Sequence, residues 1–215
     1  MSVINIIGTV GAGKTTLAKK LQEATNLPVG YESNSQQLSE ETRDLLSKYY
    51  DNPEKYALEK NIFFLNQRSQ TMQRSEEYPV YISDRFLYDD FLMALLNLKR
   101  GQMSQNEWDT YVSEFNKVES KFYGKSIPNN DILIFIMPSF EQTLLQIKER
   151  GRKEEQIDEN PELKQYYKEM YDLYIEVFSK WDVTPKIILN DVESTEIPTL
   201  IAQIKKAQPT FAELI

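Results

Sequence analysis

Apolar residues along this chain come in short blocks separated by longer stretches with helical spacing. Val3-Ile4-Asn5-Ile6-Ile7 reads as a buried strand, and the segment behind it sets Leu17, Ala18, Leu21 and Ala24 three and four residues apart, the period of one helix face. Four more blocks bounded by breakers read as strands: Leu27–Tyr31, the weakest, then Pro79–Ser83, Asp131–Pro138 and Lys186–Asn190. The intervals carry helical patterns from Pro53 to about residue 75, then over Leu87–Leu98, Ser104–Phe122, Ser139–Glu149, Pro161–Trp181 and Ile197–Ala207. Ser104 with Glu107 three residues on is a capping-box start. Strands alternating with helices predict an α/β fold built on a five-stranded parallel sheet with helices on both faces. No internal repeat, low-complexity tract or Gly/Ser-rich linker divides the chain, so residues 1–215 are expected to form one domain.

Composition narrows the chemistry. The 215 residues include no cysteine and no histidine, which excludes disulfides, cysteine nucleophiles and zinc sites of the usual kind. Acid–base work falls to carboxylates, lysine or tyrosine. A net charge of −8 makes a poor binder of nucleic acid, since contact with a phosphate backbone needs clustered cations. No apolar stretch approaches the roughly 20 residues needed to span a membrane, and the N-terminus lacks the basic and long apolar regions of a signal peptide. The expectation is a cytoplasmic protein acting on small molecules, with neither a membrane nor a nucleic acid as partner.

The turn after the first strand carries the strongest signal. Gly8-Thr9-Val10-Gly11-Ala12-Gly13-Lys14-Thr15 meets the G-x-x-x-x-G-K-[ST] pattern between a strand and a helix, and Thr16 follows it. Glycines let several N–H groups turn inward around phosphates, and the helix N-terminus adds partial positive charge. Lys14 is placed to reach the outer phosphates, and the Thr15 hydroxyl to sit on Mg²⁺. The expected ligand is a nucleoside triphosphate.

Other constellations have two readings each. Glu32 follows the second strand at the end where open α/β sheets place ligands, or it is a surface glutamate. Ser83-Asp84-Arg85 ends the third strand. Asp84 would hold Mg²⁺ through water or take a proton while Arg85 neutralises a phosphoryl group, or the two form a structural ion pair. Asp90 lies six residues on, otherwise an exposed helix carboxylate. Glu149-Arg150-Gly151-Arg152-Lys153-Glu154-Glu155 is either a solvated helix end or a lid closing over phosphates. Tyr49, Tyr50, Tyr56, Phe63 and Phe64 cluster in the first long helical stretch, mostly as core, with one or two positioned to stack on a planar substrate.

The order of these parts resembles the deoxynucleoside kinase family, and within it the bacterial deoxyadenosine/deoxyguanosine kinase branch. The resemblance rests on Gly8 to Thr16, Tyr31-Glu32, Tyr50-Asp51-Asn52-Pro53-Glu54-Lys55-Tyr56, Phe63-Phe64-Leu65-Asn66-Gln67-Arg68, Asp84-Arg85-Phe86-Leu87-Tyr88-Asp89-Asp90, and Arg150-Gly151-Arg152 with Glu154-Glu155-Gln156. It implies a P-loop kinase fold with a short Arg-rich lid at about residues 150–160, ATP and Mg²⁺, a deoxynucleoside substrate, and a homodimer. By the same resemblance Glu32 would accept the proton of the sugar 5′-hydroxyl, with Asp84 the other candidate base or a carboxylate holding magnesium through water. Arg85 would contact the 5′-oxygen and the migrating phosphoryl group. Tyr50 and Glu155 would bind the 3′-hydroxyl, Arg68 and Asp90 would pair and read the base edge, and Arg150 and Arg152 would cover the ATP phosphates.

The chain departs from the family pattern at three positions. Phe86 stands where a serine usually follows Asp-Arg, which implies a bulkier pocket there. Asn61 falls where many members have a base-reading glutamine, and Gln146 where they have an adenine-stacking arginine. Residues 33–48 are longer than in close bacterial relatives, as a wider substrate site or an additional helix. The resulting expectation is 5′-phosphorylation of a deoxynucleoside, a purine, with deoxyadenosine first. A nucleoside monophosphate kinase and a non-catalytic nucleotide-binding regulatory protein are the alternatives. The first would need more cations for its acceptor, and the second would need no base at Glu32.

Overall fold

The computed structural model describes residues 2–31, 39–124, 131–152 and 155–212. Along the chain run β1 (Ser2–Ile7), α1 (Lys14–Thr25), β2 (Val29–Gly30), α2 (Glu40–Asp51), α3 (Pro53–Ser75), β3 (Val80–Asp84) and α4 (Leu87–Lys99). Then come α5 (Gln105–Tyr123), β4 (Ile132–Ile136), α6 (Phe140–Arg150), α7 (Pro161–Ser179), β5 (Lys186–Leu189) and α8 (Ile197–Ala207). The five strands form one sheet in the order β2-β3-β1-β4-β5, with neighbouring strands parallel throughout.

The apolar blocks become strands because both faces of the sheet are covered. Along β4, Leu133 and Phe135 join a cluster with α4 and α7, while Ile132, Ile134 and Ile136 join one with α1 and α8. A strand with no polar face has no solvated side, which is why these residues read as unbroken runs. Fully burying such a side chain stabilises the fold by roughly 1.5–3 kcal/mol. A third cluster, with Ala57, Leu65, Leu87, Ala94, Tyr111 and Phe115, ties α3, α4 and α5 together beside the sheet.

Boundaries shift by one or two residues from the sequence expectation, with two larger differences. The Leu27–Tyr31 block contributes only Val29–Gly30 to the sheet. Of the segment 33–48, residues 33–38 lie outside the described residues, and the remainder enters α2. That helix is capped by Ser39, whose Oγ accepts from the Thr42 N–H, and it buries Thr42, Leu45 and Tyr49. The described part of the segment is thus largely helical.

Chain order fixes the site. β1 lies centrally between β3 and β4, so its two neighbours are reached by crossovers of opposite direction. Open α/β sheets bind ligands at the carboxyl ends of strands where this reversal occurs. Ile6 of β1 stands in register with Asp84 of β3, so the turn after β1 and the acidic end of β3 are neighbours.

Candidate active site

The glycine-rich turn is shaped by what surrounds it. Gly11 has φ 79°, and a Cβ there would stand 2.8 Å from Ile147 Cγ1 and 2.9 Å from the Thr143 carbonyl oxygen. Only glycine meets both the left-handed backbone and the close approach of α6. Gly13, also left-handed, opens α1, which has no side-chain cap and no acidic residue in its first turn. By contrast, Ser104 and Ser139 cap α5 and α6 through their own hydroxyls. An uncapped N-terminus without carboxylates is suited to an anion. The Lys14 ammonium folds back over the turn and donates to the carbonyl oxygens of Gly8 at 2.7 Å and Thr9 at 2.8 Å. Thr15 Oγ1 donates to Asp84 Oδ2 at 2.6 Å.

Beyond β3 the chain turns sharply. Arg85 has φ 119°, a conformation costing a non-glycine residue about 1–3 kcal/mol. Local hydrogen bonds hold it: Ser83 Oγ donates to the Arg85 carbonyl at 2.6 Å, and the Phe86 N–H donates to Asp89 Oδ2 at 2.6 Å. Burial pushes the Asp89 carboxyl above the ordinary aspartate value, against the opposing pull of Arg85 and Lys14. Strain of this kind is retained where the surroundings over-determine it, and here it delivers Arg85 to a cavity wall. Phe86 does not make the pocket bulkier, contrary to the expectation from its replacement of a serine. Its side chain is fully buried, with ring centroids 5.2 Å from Tyr88 and 5.7 Å from Trp181, so the volume went into the core.

Farther along, Arg68 Nε and Asp90 Oδ2 form an ion pair at 3.0 Å, with the side chains only 4% and 6% exposed. Asp90 is therefore no exposed helix carboxylate. It lines the cavity, and Arg68 stands behind it. Asn61 lines the same wall and donates through Nδ2 to Asn97 Oδ1 at 3.0 Å. The Tyr50 hydroxyl, with Tyr167 and Glu155 as electrostatic neighbours, is pushed well above the ordinary tyrosine value, first by desolvation. Tyr50 and Glu155, distant in sequence, are thus brought together.

The arginines of the charge run are both held by Glu155. Arg150 donates to its Oε2 through Nε at 3.0 Å and Nη2 at 2.5 Å, and Arg152 Nη1 reaches Oε1 at 3.5 Å. Lys153 and Glu154 lie outside the described residues, as does Glu32, the candidate base immediately after Tyr31.

One cavity of ≈ 500 Å³ joins these groups. Its walls include the turn from Val10 to Thr16, then Asp84, Arg85, Tyr50, Asn61 and Asp90, and on the α6 side Gln146, Arg150, Arg152 and Glu155. Gly8 and Thr9 stand just behind the turn, tied to the Lys14 ammonium. A phosphate-binding turn and a cluster able to hold a polar planar molecule open onto one volume. The sequence of residues 4–210 matches the family model for deoxynucleoside kinase. The chain belongs to the deoxynucleoside kinase family. It is 30% identical to a deoxyguanosine kinase of Lactobacillus johnsonii over 88% of this chain and 82% of that one. It is 28% identical to a deoxyadenosine kinase of Lactobacillus acidophilus, over 94% and 92% of the two chains. A structure of deoxyadenosine kinase from M. mycoides with bound dCTP has the same fold, with a TM-score of 0.74 at 24% identity, covering 96% of this chain and all of that one.

The kinase thus phosphorylates deoxynucleosides on a P-loop scaffold. Several cavity residues carried no sequence signal. Val192, beside Gly13, and Glu193 come from the turn after β5, and Met93 and Tyr166 from α4 and α7. Of the five clustered aromatics, Tyr49, Tyr50 and Phe64 reach the cavity. Lys60 is the least expected. It reads as a solvated helix charge beside Glu59, yet it is 3% exposed, and desolvation lowers its pKa against the pull of Tyr49 and Asp90.

Proposed function

We propose that this kinase transfers the γ-phosphoryl group of ATP to the 5′-hydroxyl of a purine deoxynucleoside, deoxyadenosine first. The observation that carries the reading is that the glycine-rich turn, Asp84-Arg85, Tyr50 with Glu155, and Asp90 all line one cavity. The purine reading draws support from relatives named deoxyguanosine and deoxyadenosine kinase. The whole chain, 1–215, is taken as one domain with its lid at about residues 150–160, acting in the cytoplasm as a homodimer. Among the described residues no helix is long and apolar enough to cross a membrane.

In this reading Glu32, or else Asp84, takes the proton of the 5′-hydroxyl as the new O–P bond forms and the bond to the ADP leaving group breaks. Arg85 lies against the migrating group and Lys14 exchanges its loop carbonyls for phosphate oxygens. Arg150 and Arg152 close over the donor. Tyr50 and Glu155 take the 3′-hydroxyl, while Asn61, and Asp90 held by Arg68, face the base. A magnesium ion fits the donor set at Thr15 and Asp84, a hydroxyl and a carboxylate 2.6 Å apart, because magnesium takes oxygen ligands and retains waters. Bound there, it would neutralise charge on the donor phosphates. The rest of the catalysis is positioning, worth most when the reacting atoms meet in line in a site shielded from water.

A coupled ADP-release assay across the four deoxynucleosides and their monophosphates tests this. Turnover with deoxynucleosides, purines ahead, is expected. Activity confined to monophosphates would make the chain a monophosphate kinase, and no stimulation by any acceptor would remove catalysis altogether.

A further inference from the structure

Lys60 is buried beside Asn97 and Tyr49 and is not among the groups assigned to phosphoryl transfer. Its Nζ donates to Asn97 Oδ1 at 3.1 Å and stands 4.0 Å over the Tyr49 ring. An ammonium has only donors, so the Asn97 atom facing it must be the oxygen. Asn97 Nδ2 then points the other way, donating to the Tyr49 hydroxyl at 2.7 Å and to Gln102 Oε1 at 2.6 Å. The same Asn97 oxygen receives Asn61 Nδ2 at 3.0 Å, and the second Nδ2 proton of Asn61 faces Met103 Sδ at 3.4 Å. An asparagine side chain is a reversible amide, and this chain of contacts removes the choice. Both donors of Asn61 are spent inside the protein. Its Oδ1 takes no hydrogen bond among the described residues, and Asn61 lines the cavity.

We propose that Lys60 is a positioning residue for base selection: through Asn97 it locks the Asn61 amide with its oxygen toward the cavity, so the pocket favours a base with an exocyclic amino group. The inference rests on the reading that the base lies against Asn61, and it names the base edge that reading leaves open. Asn61 is short and only 3% exposed, so a group standing out from the ring reaches it more readily than a ring nitrogen. An amino group donates to the waiting oxygen, whereas a carbonyl there would set two acceptors face to face. Lys60 also lines the cavity. Its ammonium is drawn to the Asn97 oxygen and the Tyr49 ring, and a carbonyl read directly by Lys60 is the opposite outcome that the measurement separates.

Deoxyadenosine and deoxyinosine differ at the 6-position in this respect, amino against carbonyl. The measurement is the ratio of their kcat/KM values for wild type, Lys60→Met, Asn61→Ala and the double variant. Wild type is expected to favour deoxyadenosine by about 10- to 100-fold, the size of one satisfied against one opposed buried hydrogen bond. Both single variants should bring the ratio to within about threefold of unity, and the double variant should go no further, since one contact is lost in each. Lys60→Arg, again donor-only, should keep the preference. A merely structural lysine would lower both substrates together and leave the ratio in place. Should Lys60→Met fail to fold, Asn97→Ala must give the same collapse, because it cuts the relay from its other side. An unchanged ratio in Asn61→Ala removes the base from Asn61, and the inference falls with the reading beneath it. A collapse in Asn61→Ala without one in Lys60→Met or Asn97→Ala refutes the relay alone. A wild type that prefers deoxyinosine refutes it as well, with Lys60 reading the carbonyl directly.

Discussion

Replacing Asp131 with asparagine should make the kinase more stable at neutral pH. Asp131 precedes β4 at the amino end of the sheet, opposite the cavity, and is 1% exposed. Its Oδ1 accepts from the Val3 N–H at 2.9 Å and its Oδ2 from Asn5 Nδ2 at 3.4 Å, so it ties β1 to the start of β4. Burial raises the carboxyl from 3.8 to about 6, the two donors recovering only part of the cost of charging it. Because the folded-state value is the higher one, the folded protein binds more protons than the unfolded chain between those two values, and stability falls as pH rises through that window. A shift of about two units corresponds to about 3 kcal/mol, fully felt above about pH 6.5. Asparagine has no charge to bury and keeps an oxygen for Val3, while Asn5 can turn its amide to receive the new N–H. Some of the gain is returned, since a bond to a neutral oxygen is weaker than one to a carboxylate by about 1 kcal/mol. The net expectation is about 1–2 kcal/mol at pH 7, or roughly 3–6 °C in Tm for a chain of this size. Near pH 4 the advantage should vanish or reverse. Urea unfolding followed by tryptophan fluorescence, at several pH values from about 4 to 7.5, measures both curves. A wild-type-to-variant difference that does not change with pH would refute the reasoning, and so would an asparagine variant that is less stable at pH 7. Turnover should be unchanged, because Asp131 touches none of the cavity groups.

Three further outcomes follow from the site. Glu32→Gln should lower kcat by about 10²–10⁴-fold with a small change in nucleoside KM; near-wild-type turnover would pass the base role to Asp84. Tyr50→Phe should cut kcat/KM for a deoxynucleoside by about tenfold and leave a 3′-deoxy analogue untouched; equal losses on both would detach Tyr50 from the 3′-hydroxyl. Arg150 and Arg152 share Glu155, so donor phosphates that draw them away should leave its carboxylate ready for the sugar. Calorimetry should then show tighter nucleoside binding with a non-hydrolysable ATP analogue present, and the reverse by the same factor, whereas identical Kd values would exclude the coupling.

What was legible in the chain followed from local rules. The sheet was legible because strands covered on both faces carry unbroken apolar runs, and the phosphate turn because its glycines answer to backbone geometry. Helix α2 was harder. Residues 40–51 are mostly polar, and the marks are modest: Ser39 as a cap, Glu40 and Glu41 in the first turn, Lys48 in the last, and the four-residue step from Leu45 to Tyr49. Local sequence also says little about burial. Phe86 replaces a small polar residue beside the acidic turn, which suggests a pocket wall. Its ring turns instead toward Trp181, 95 positions away, which no window of sequence could connect to it.

The same limit applies with more force to charges. Arg68 and Asp90 are 22 positions apart and Lys60 and Asn97 are 37 apart, and each pair is buried by the packing of α3 on α4. On a helix read alone, lysine at position 60 belongs to the solvated face, next to Glu59. Burying it is costly unless its protons find acceptors, so the partners must be built into the neighbouring helix. That requirement makes the network informative. A buried ammonium supplies donors and nothing else, and each amide in contact with it loses its freedom to flip. Lys60 in effect sets the direction of the hydrogen bonds that run through Asn97 to Asn61 at the cavity wall. Under the proposed relay, a residue without a sequence signal decides which atom of Asn61 faces the cavity.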